Sequence, residues 1–327
     1  MALIKKGRLI SMFKVLVTGG AGFIGSHIVD ALIEDGHKAV VVDNLLQGKP
    51  ENINPKALFY NLDVCDPALE GVFEKERPDY ICHHAAQIDV RKSVADPLCD
   101  ARINILGLLN ILSSSMKIGV KGVIFASSGG VVYGEPDVLP VPEDHPKGPL
   151  SPYGVSKLSS EYYLYYYNNV FGLPYIALRY ANVYGPRQDP MGEAGVVAIF
   201  SNKMLRGEEP TIYGDGNQVR DYVFVGDVAR ANLLSLQHLS KMGFPSSIDD
   251  HAFNIGTSAG TSVNELYALL SEIIGFTKMA NRDEPRKGEL YKIYLDIRKA
   301  RENLGFNPSV SLRDGLKATI SYFTEIR

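Results

Sequence analysis

The sequence predicts an α/β protein: a doubly wound parallel sheet joined to a smaller α/β domain. Three observations carry this. Short apolar runs alternate with helix-spaced segments through the first half. The runs are apolar at nearly every position, as strands covered on both faces require. The first run passes through a glycine cluster directly into an amphipathic helix, and repeated βα units with right-handed crossovers give a doubly wound sheet.

Taken in order, residues 13–18, 39–43, 58–62, 80–83 and 122–126 read as strands, and residues 23–34, 67–75 and 101–118 as helices. A helix over 152–170 and a strand over 175–179 continue the sheet. Pro and Gly then become frequent between 185 and 216, and helices are expected over 194–206, 228–239, 263–274 and 312–324. This divides the chain into an extension without regular structure (1–11), a dinucleotide-type domain (12–181, with returning segments near 223–256) and a mainly substrate-binding domain (182–327).

Composition narrows the partners. Lys plus Arg is 34 and Asp plus Glu 37, a formal net charge of −3 over 327 residues, which gives no electrostatic reason to bind nucleic acid. The apolar fraction of 45% and charged fraction of 22% fit a packed core, and no apolar run reaches the roughly 18 residues of a membrane span. Cys65, Cys82 and Cys99 are too few for a disulfide scaffold and match no metal spacing, so free thiols in the cytoplasm are expected. His83-His84 resembles a metal pair, but adjacent strand residues face opposite ways, so a structural use and no metal are expected.

Two local patterns carry chemistry. In Val15-Leu16-Val17-Thr18-Gly19-Gly20-Ala21-Gly22-Phe23-Ile24-Gly25, a strand meets a helix through glycines whose missing side chains let backbone N–H groups approach a pyrophosphate. Asp43 ends the next strand, where a carboxylate accepts ribose hydroxyls and repels a 2′-phosphate; Asn44-Leu45-Leu46 offers no Arg, so NAD is favoured over NADP. Asp63 and Val64, after the third strand, are placed near the adenine ring.

The second pattern is Ser151-Pro152-Tyr153…Lys157, a capped helix start with Tyr and Lys four residues apart on one face. A phenol near pKa 10 needs about 4 kcal/mol to reach neutrality. One ammonium about 4 Å away at an effective dielectric of about 20 supplies about that much. The pair is a hydroxyl-deprotonating unit.

TGGAGFIGSH (18–27), HHAAQ (83–87), SS…VYG (127–134), SPYGVSK (151–157), RYANVYGPRQ (179–188) and GDGNQVRDYV (214–223) together resemble the extended short-chain dehydrogenase/reductases, nearest the UDP-glucose/UDP-galactose 4-epimerases. The resemblance implies a Rossmann domain, tightly held NAD, a UDP-sugar substrate, and C4 epimerisation through a 4-keto sugar with no net redox change. It implies Tyr153 as base, Lys157 as partner to Tyr153 and the nicotinamide ribose, and further cofactor contacts at Phe23, Ile24, Ala85, Ala86, Asn104 and Ser127. It places Asn182, Ile212, Tyr213, Arg220, Arg286 and Glu289 at the UDP-sugar, with Arg220 and Arg286 as diphosphate forks. The resemblance puts the residue that sets sugar-pocket size near Ile293, and its intermediate size leaves N-acetylated sugars open as an alternative.

One departure stands out. The position usually carrying the third catalytic Ser or Thr is Gly129, so Ser128, a water or Tyr153 alone must serve. Gly130 and Val131 stand where dehydratases carry acidic residues, which disfavours dehydration. A 4-epimerase or decarboxylase of a UDP-hexuronic acid, a UDP-N-acetylhexosamine 4-epimerase, and a non-catalytic NAD-binding regulator remain alternatives. The tyrosine band of the 152–170 helix is expected to serve packing or a helix-pair interface, and the resemblance implies that this helix and the 101–118 helix form a four-helix homodimer interface.

Overall fold

The computed structural model describes residues 2–5, 8–190, 195–286 and 290–325, with side chains from residue 12 onward. Ala2–Lys5 (β1) and Arg8–Ser11 (β2) form an antiparallel ladder pairing Leu3 with Ile10 and Ile4 with Leu9. Sequence alone leaves residues 1–11 without regular structure; those residue types favour extended backbone, and pairing supplies hydrogen bonds that a single strand lacks.

Lys14–Thr18 (β3) leads into Phe23–Glu34 (α1), then Lys38–Asp43 (β4), Leu58–Asn61 (β5), Leu69–Glu76 (α2) and Tyr80–His83 (β6). Val90–Ala95 (α3) and Pro97–Ala101 (α4) follow, then a π-helical turn at Arg102–Leu106, Gly107–Ile118 (α5) and Val123–Ser128 (β7). The long helix expected over 101–118 is thus interrupted by a wider turn. Pro152–Phe171 (α6), Tyr175–Tyr180 (β8), Asn182–Tyr184 (β9), Val196–Leu205 (α7), Thr211–Tyr213 (β10), Val219–Phe224 (β11) and Val225–His238 (α8) continue the chain. Ala252–Ile255 (β12), Gly260–Ser262 (β13), Val263–Ile274 (α9), Asn281–Asp283 (β14), Arg298–Leu304 (α10) and Leu312–Glu325 (α11) complete it.

Seven strands form one sheet in the order β12-β8-β7-β6-β3-β4-β5. The chain runs outward from β3 to β5, then returns to lay β6 on β3's other side. That reversal is the topological switch point where open α/β sheets bind ligands, beyond the strands' carboxyl ends.

By packing density the chain divides into two units, residues 1–127, 151–178 and 229–252, and residues 128–150, 179–228 and 253–327. In the first, Leu16, Val40, Ile81, Val123 and Phe125 are fully buried against Phe73, Leu108 and Leu112. Burying each such side chain contributes about 1.5–3 kcal/mol. In the second, Tyr184, Phe200, Leu266, Leu270 and Leu316 form a separate core. Its strands make a β13-β11-β9 sheet and a parallel β10-β14 pair. The strands of three residues, β9, β10, β13 and β14, are too short for periodicity to reveal.

Candidate active site

The glycine turn lies at the switch point. Gly19 has φ +68°, and a Cβ there would sit 2.8 Å from the Ala85 nitrogen, so the turn is glycine by backbone geometry and by contact. A Cβ on Gly25 would overlap the Gly19 carbonyl, while Gly22 caps α1 with no side-chain hydrogen bond. The uncapped N-terminus leaves first-turn N–H groups for an anion. Asp43, buried at the end of β4, accepts from the Ala21 nitrogen (3.0 Å) and the Leu45 nitrogen (2.8 Å). A carboxylate offers about four lone-pair sites, so it keeps acceptor capacity for ribose hydroxyls while bracing the turn. These residues fit a dinucleotide.

Asn44 and Asp63 meet directly: the Asn44 amide donates to Asp63 at 2.8 Å, as does the Cys65 nitrogen. Burial acts to raise the Asp63 carboxyl, but these donors outweigh it and hold it below the usual range. Val64 is buried beside Gly107. Thr18 fastens the loop after β6: its hydroxyl contacts His83 Nδ1 at 2.7 Å and accepts from the His84 and Ala85 nitrogens at 3.2 Å each. Burial and the Lys157 charge push both imidazoles down, His84 to about 3, so both are neutral at physiological pH. Ala85 and Ala86 are half-buried in this loop. The π-helical turn points Asn104 into it, where the Asn104 side chain accepts from the Gln87 nitrogen (2.9 Å) and donates to the Gln87 carbonyl (3.0 Å).

Ser151 caps α6 by accepting from the Gly154 nitrogen at 3.1 Å, and Pro152 occupies the first helical position. A cap of this kind contributes about 1 kcal/mol. Lys157 is buried and donates to the Ala126 carbonyl at 2.7 Å, with Nζ 4.8 Å from the Phe125 ring centroid and 5.7 Å from that of Tyr153. Burial pulls the Lys157 ammonium down to about 8, against the opposing charges of Asp100 and Glu161. Burial also pushes the half-buried Tyr153 phenol up, reinforced by Asp100. Sequence reasoning counts the positive charges of Lys157 and of the oxidised nicotinamide at Tyr153; in the folded protein, burial acts the other way.

Two buried carboxylates here were not expected. Glu161 accepts the Ser127 hydroxyl, so Ser127 is engaged within the protein. Asp100 accepts from Ser156, Gln87 and Asn104. Glu161 is the next four-residue step after Tyr153 and Lys157, a signal present in the sequence. Asp100 carries no such local mark.

In the second unit, Ser128 is half-buried and its carbonyl accepts from the Val132 nitrogen at 3.3 Å. The space beside Gly129 is filled: a Cβ would lie 2.5 Å from Leu295 Cδ1 and 2.9 Å from Cδ2. Gly129, Leu295, Ile293, Asp221 and Asn182 line one small cavity. Ile212 is buried in the core, whereas the Arg286 guanidinium lies 4.0 Å from the Tyr213 ring centroid. Arg220 donates to the carbonyls of Val219 (2.9 Å), Leu290 (2.6 Å) and Tyr291 (3.3 Å). Its fork is thus satisfied by backbone rather than left open, because the 290–291 segment runs alongside. Glu289 lies outside the described residues.

A family model described as the NAD dependent epimerase/dehydratase family matches residues 15–256. The chain belongs to the NAD-dependent epimerase/dehydratase family. Within it, the chain is 51% identical to a putative UDP-glucose 4-epimerase of Methanocaldococcus jannaschii, over 94% of this chain and 97% of that protein. A solved UDP-glucose 4-epimerase of Thermotoga maritima, with UDP-glucose, is 53% identical with a TM-score of 0.91, covering 96% of this chain and 99% of the other. A Thermus thermophilus UDP-glucose 4-epimerase in complex with NAD is 42% identical with a TM-score of 0.88, covering 95% and 99%. As an NAD-dependent epimerase/dehydratase family member, the chain shares its Rossmann architecture with both structures.

Proposed function

We propose that the chain is an NAD-dependent UDP-hexose 4-epimerase, interconverting UDP-glucose and UDP-galactose through a transient 4-keto sugar. The observation that carries this reading is the Tyr153–Lys157 pair, with the ammonium anchored on the Ala126 carbonyl and 5.7 Å from the phenol ring centroid. Bound NAD⁺ supplies reversible hydride acceptance at C4 of the sugar and a ring cation that favours the phenolate.

The chain's own residues do the rest. Gly19, Gly22, Phe23, Ile24 and Gly25 cradle the pyrophosphate, Asp43 and Asn44 take the adenosine ribose, and Asp63 and Val64 border the adenine. Ala85, Ala86 and Asn104 line the crevice, and Ser127 with Glu161 braces its floor. Tyr153 accepts the 4-hydroxyl proton at its phenolic oxygen and later returns it, and Ser128 serves as the hydroxyl in place of the one missing at Gly129. Lys157, near pKa 8, is mostly protonated at pH 7 and stabilises the phenolate. For the UDP-sugar, Arg220 and Arg286 bind the diphosphate, Tyr213 faces the uracil and Asn182 flanks the sugar nucleotide, while Ile212 backs Tyr213 from the core. Arg220 exchanges a backbone partner for the diphosphate when substrate arrives.

Exposed apolar residues on α5 and α6 fit a homodimer of the four-helix type: Met116 on one and Val155, Tyr162, Tyr166 and Val170 on the other. The free thiols Cys65, Cys82 and Cys99 fit a cytoplasmic enzyme.

The test is conversion of UDP-galactose to UDP-glucose by purified protein without added NAD. Wild type turns over and Tyr153→Phe loses about 10²–10⁴-fold in kcat. Undiminished turnover in that variant, or none by wild type on either sugar, refutes the reading.

A further inference from the structure

A fully buried carboxylate stands behind the catalytic helix, and the mechanism above gives it no role. Asp100, on the short helix α4, is 0% exposed and is ringed by donors. One is the Ser156 hydroxyl, between Tyr153 and Lys157 in sequence on α6. The others are the side-chain amides of Gln87 (3.1 Å) and Asn104 (3.0 Å). Gln87 closes the loop that begins at His84, and Asn104 clasps that same loop from the π-helical turn. π-helical turns are rare and recur at functional sites.

We propose that Asp100 is a positioning residue, which locks the helix bearing Tyr153 and Lys157 to the cofactor-side loop and sets a fixed negative charge behind that pair. Three side-chain donors converge on the two oxygens of this carboxylate, one on Oδ2 and two on Oδ1. A structural tie alone requires no charge, since an amide there could satisfy the same neighbours. The charge acts on both partners, holding the Lys157 ammonium and the Tyr153 phenol each above where burial and the other groups leave it.

The titratable and charged groups around the pair come from five elements. Asp100 comes from α4, Glu161 from α6 itself, and the neutral His83 and His84 from β6 and the residue after it. Arg91 and Lys92 of α3 and Arg102 of the π-turn are solvent-exposed. Removing the Asp100 charge therefore shifts both members of the pair in one direction, toward lower pH.

This inference rests on Tyr153 being the base, so Tyr153→Phe is measured alongside. Asp100→Asn keeps shape and hydrogen-bonding capacity; Ser156→Ala keeps the charge and breaks the tie. In the kcat–pH profile, the acid limb of Asp100→Asn moves down by about one pH unit. Ser156→Ala lowers kcat at every pH without moving either limb. A second readout needs no turnover: in the cofactor-free protein, the Lys157 side-chain NMR signal, assigned by its loss in Lys157→Met, titrates about one unit lower in Asp100→Asn. Should Asp100→Asn fail to fold, Asp100→Ser is read the same way. Unmoved limbs and an unmoved Lys157 titration in the charge-free variant overturn the proposal. If Tyr153→Phe retains full activity, the catalytic reading fails instead, and the Lys157 titration still judges Asp100.

Discussion

Replacing Gly129 by Ser restores the hydroxyl that related enzymes usually carry, yet the structure predicts that it destabilises this protein. Gly129 is not among the residues with positive φ, so backbone conformation does not demand glycine there. What demands it is Leu295, whose two methyls lie 2.5 and 2.9 Å from the position a Cβ would take. Leu295 is 1% exposed, so its methyls have little room to retreat beyond the small cavity that it lines with Gly129. Overpacking of this kind costs about 1–3 kcal/mol. Leu295→Ala alone, a buried truncation, costs about 2–5 kcal/mol. The two changes are compensating in volume, so the double variant is expected to be more stable than the sum of the singles by about 1–3 kcal/mol. Urea denaturation of all four proteins closes the cycle. In the 4-epimerase assay the double variant, which has room for the hydroxyl, turns over at least as fast as Leu295→Ala. Additivity within about 0.5 kcal/mol means that Leu295 is not what keeps glycine at this position.

Other outcomes follow from the same geometry. The Lys157 ammonium sits near 8 when folded against about 10.4 in an unfolded chain, so its buried charge destabilises below pH 8 and that cost disappears by about pH 10.5. Cofactor-free wild type therefore gains on the order of 3 kcal/mol relative to Lys157→Met as pH rises through that window, read by chemical denaturation; a flat difference rejects the burial argument. Gly25→Ala places a methyl on the Gly19 carbonyl and is expected to abolish NAD retention, measured by cofactor absorbance after gel filtration. Asp43→Ala frees the Ala21 and Leu45 amides and weakens NAD binding about 10–100-fold by calorimetry, with unchanged affinity as the refuting result. Arg286→Ala removes the guanidinium stacked on Tyr213 and raises KM for UDP-galactose about 10-fold at constant kcat; loss confined to kcat rejects a binding role.

Legibility followed sequence distance. The glycine turn, the carboxylate ending β4 and the capped Tyr153–Lys157 helix each lie within one local element. Turn chemistry, capping and helical periodicity mark such features directly. Helices α1 and α9 were expected with their observed bounds, because apolar spacing defines them without help from neighbours. The strands of three residues were missed because they carry no period to read. The N-terminal ladder was missed because its order comes from pairing rather than from either strand alone.

What the chain alone determined is therefore the α/β class, the alternating elements of the first half and the cofactor type, and it singled out Tyr153 and Lys157 as the candidate pair. Tertiary structure decided the surroundings: Asp100 meeting Ser156 across 56 residues, Glu161 meeting Ser127 across 34, and Arg220 turned to the Leu290 carbonyl 70 residues away. It also decided that burial and the Asp100 charge push the Tyr153 phenol up, and that Leu295 fills the place of a missing hydroxyl. Hydrogen bonds, burial and excluded volume depend on which groups become neighbours in space, and for groups this far apart no spacing rule along the chain encodes that.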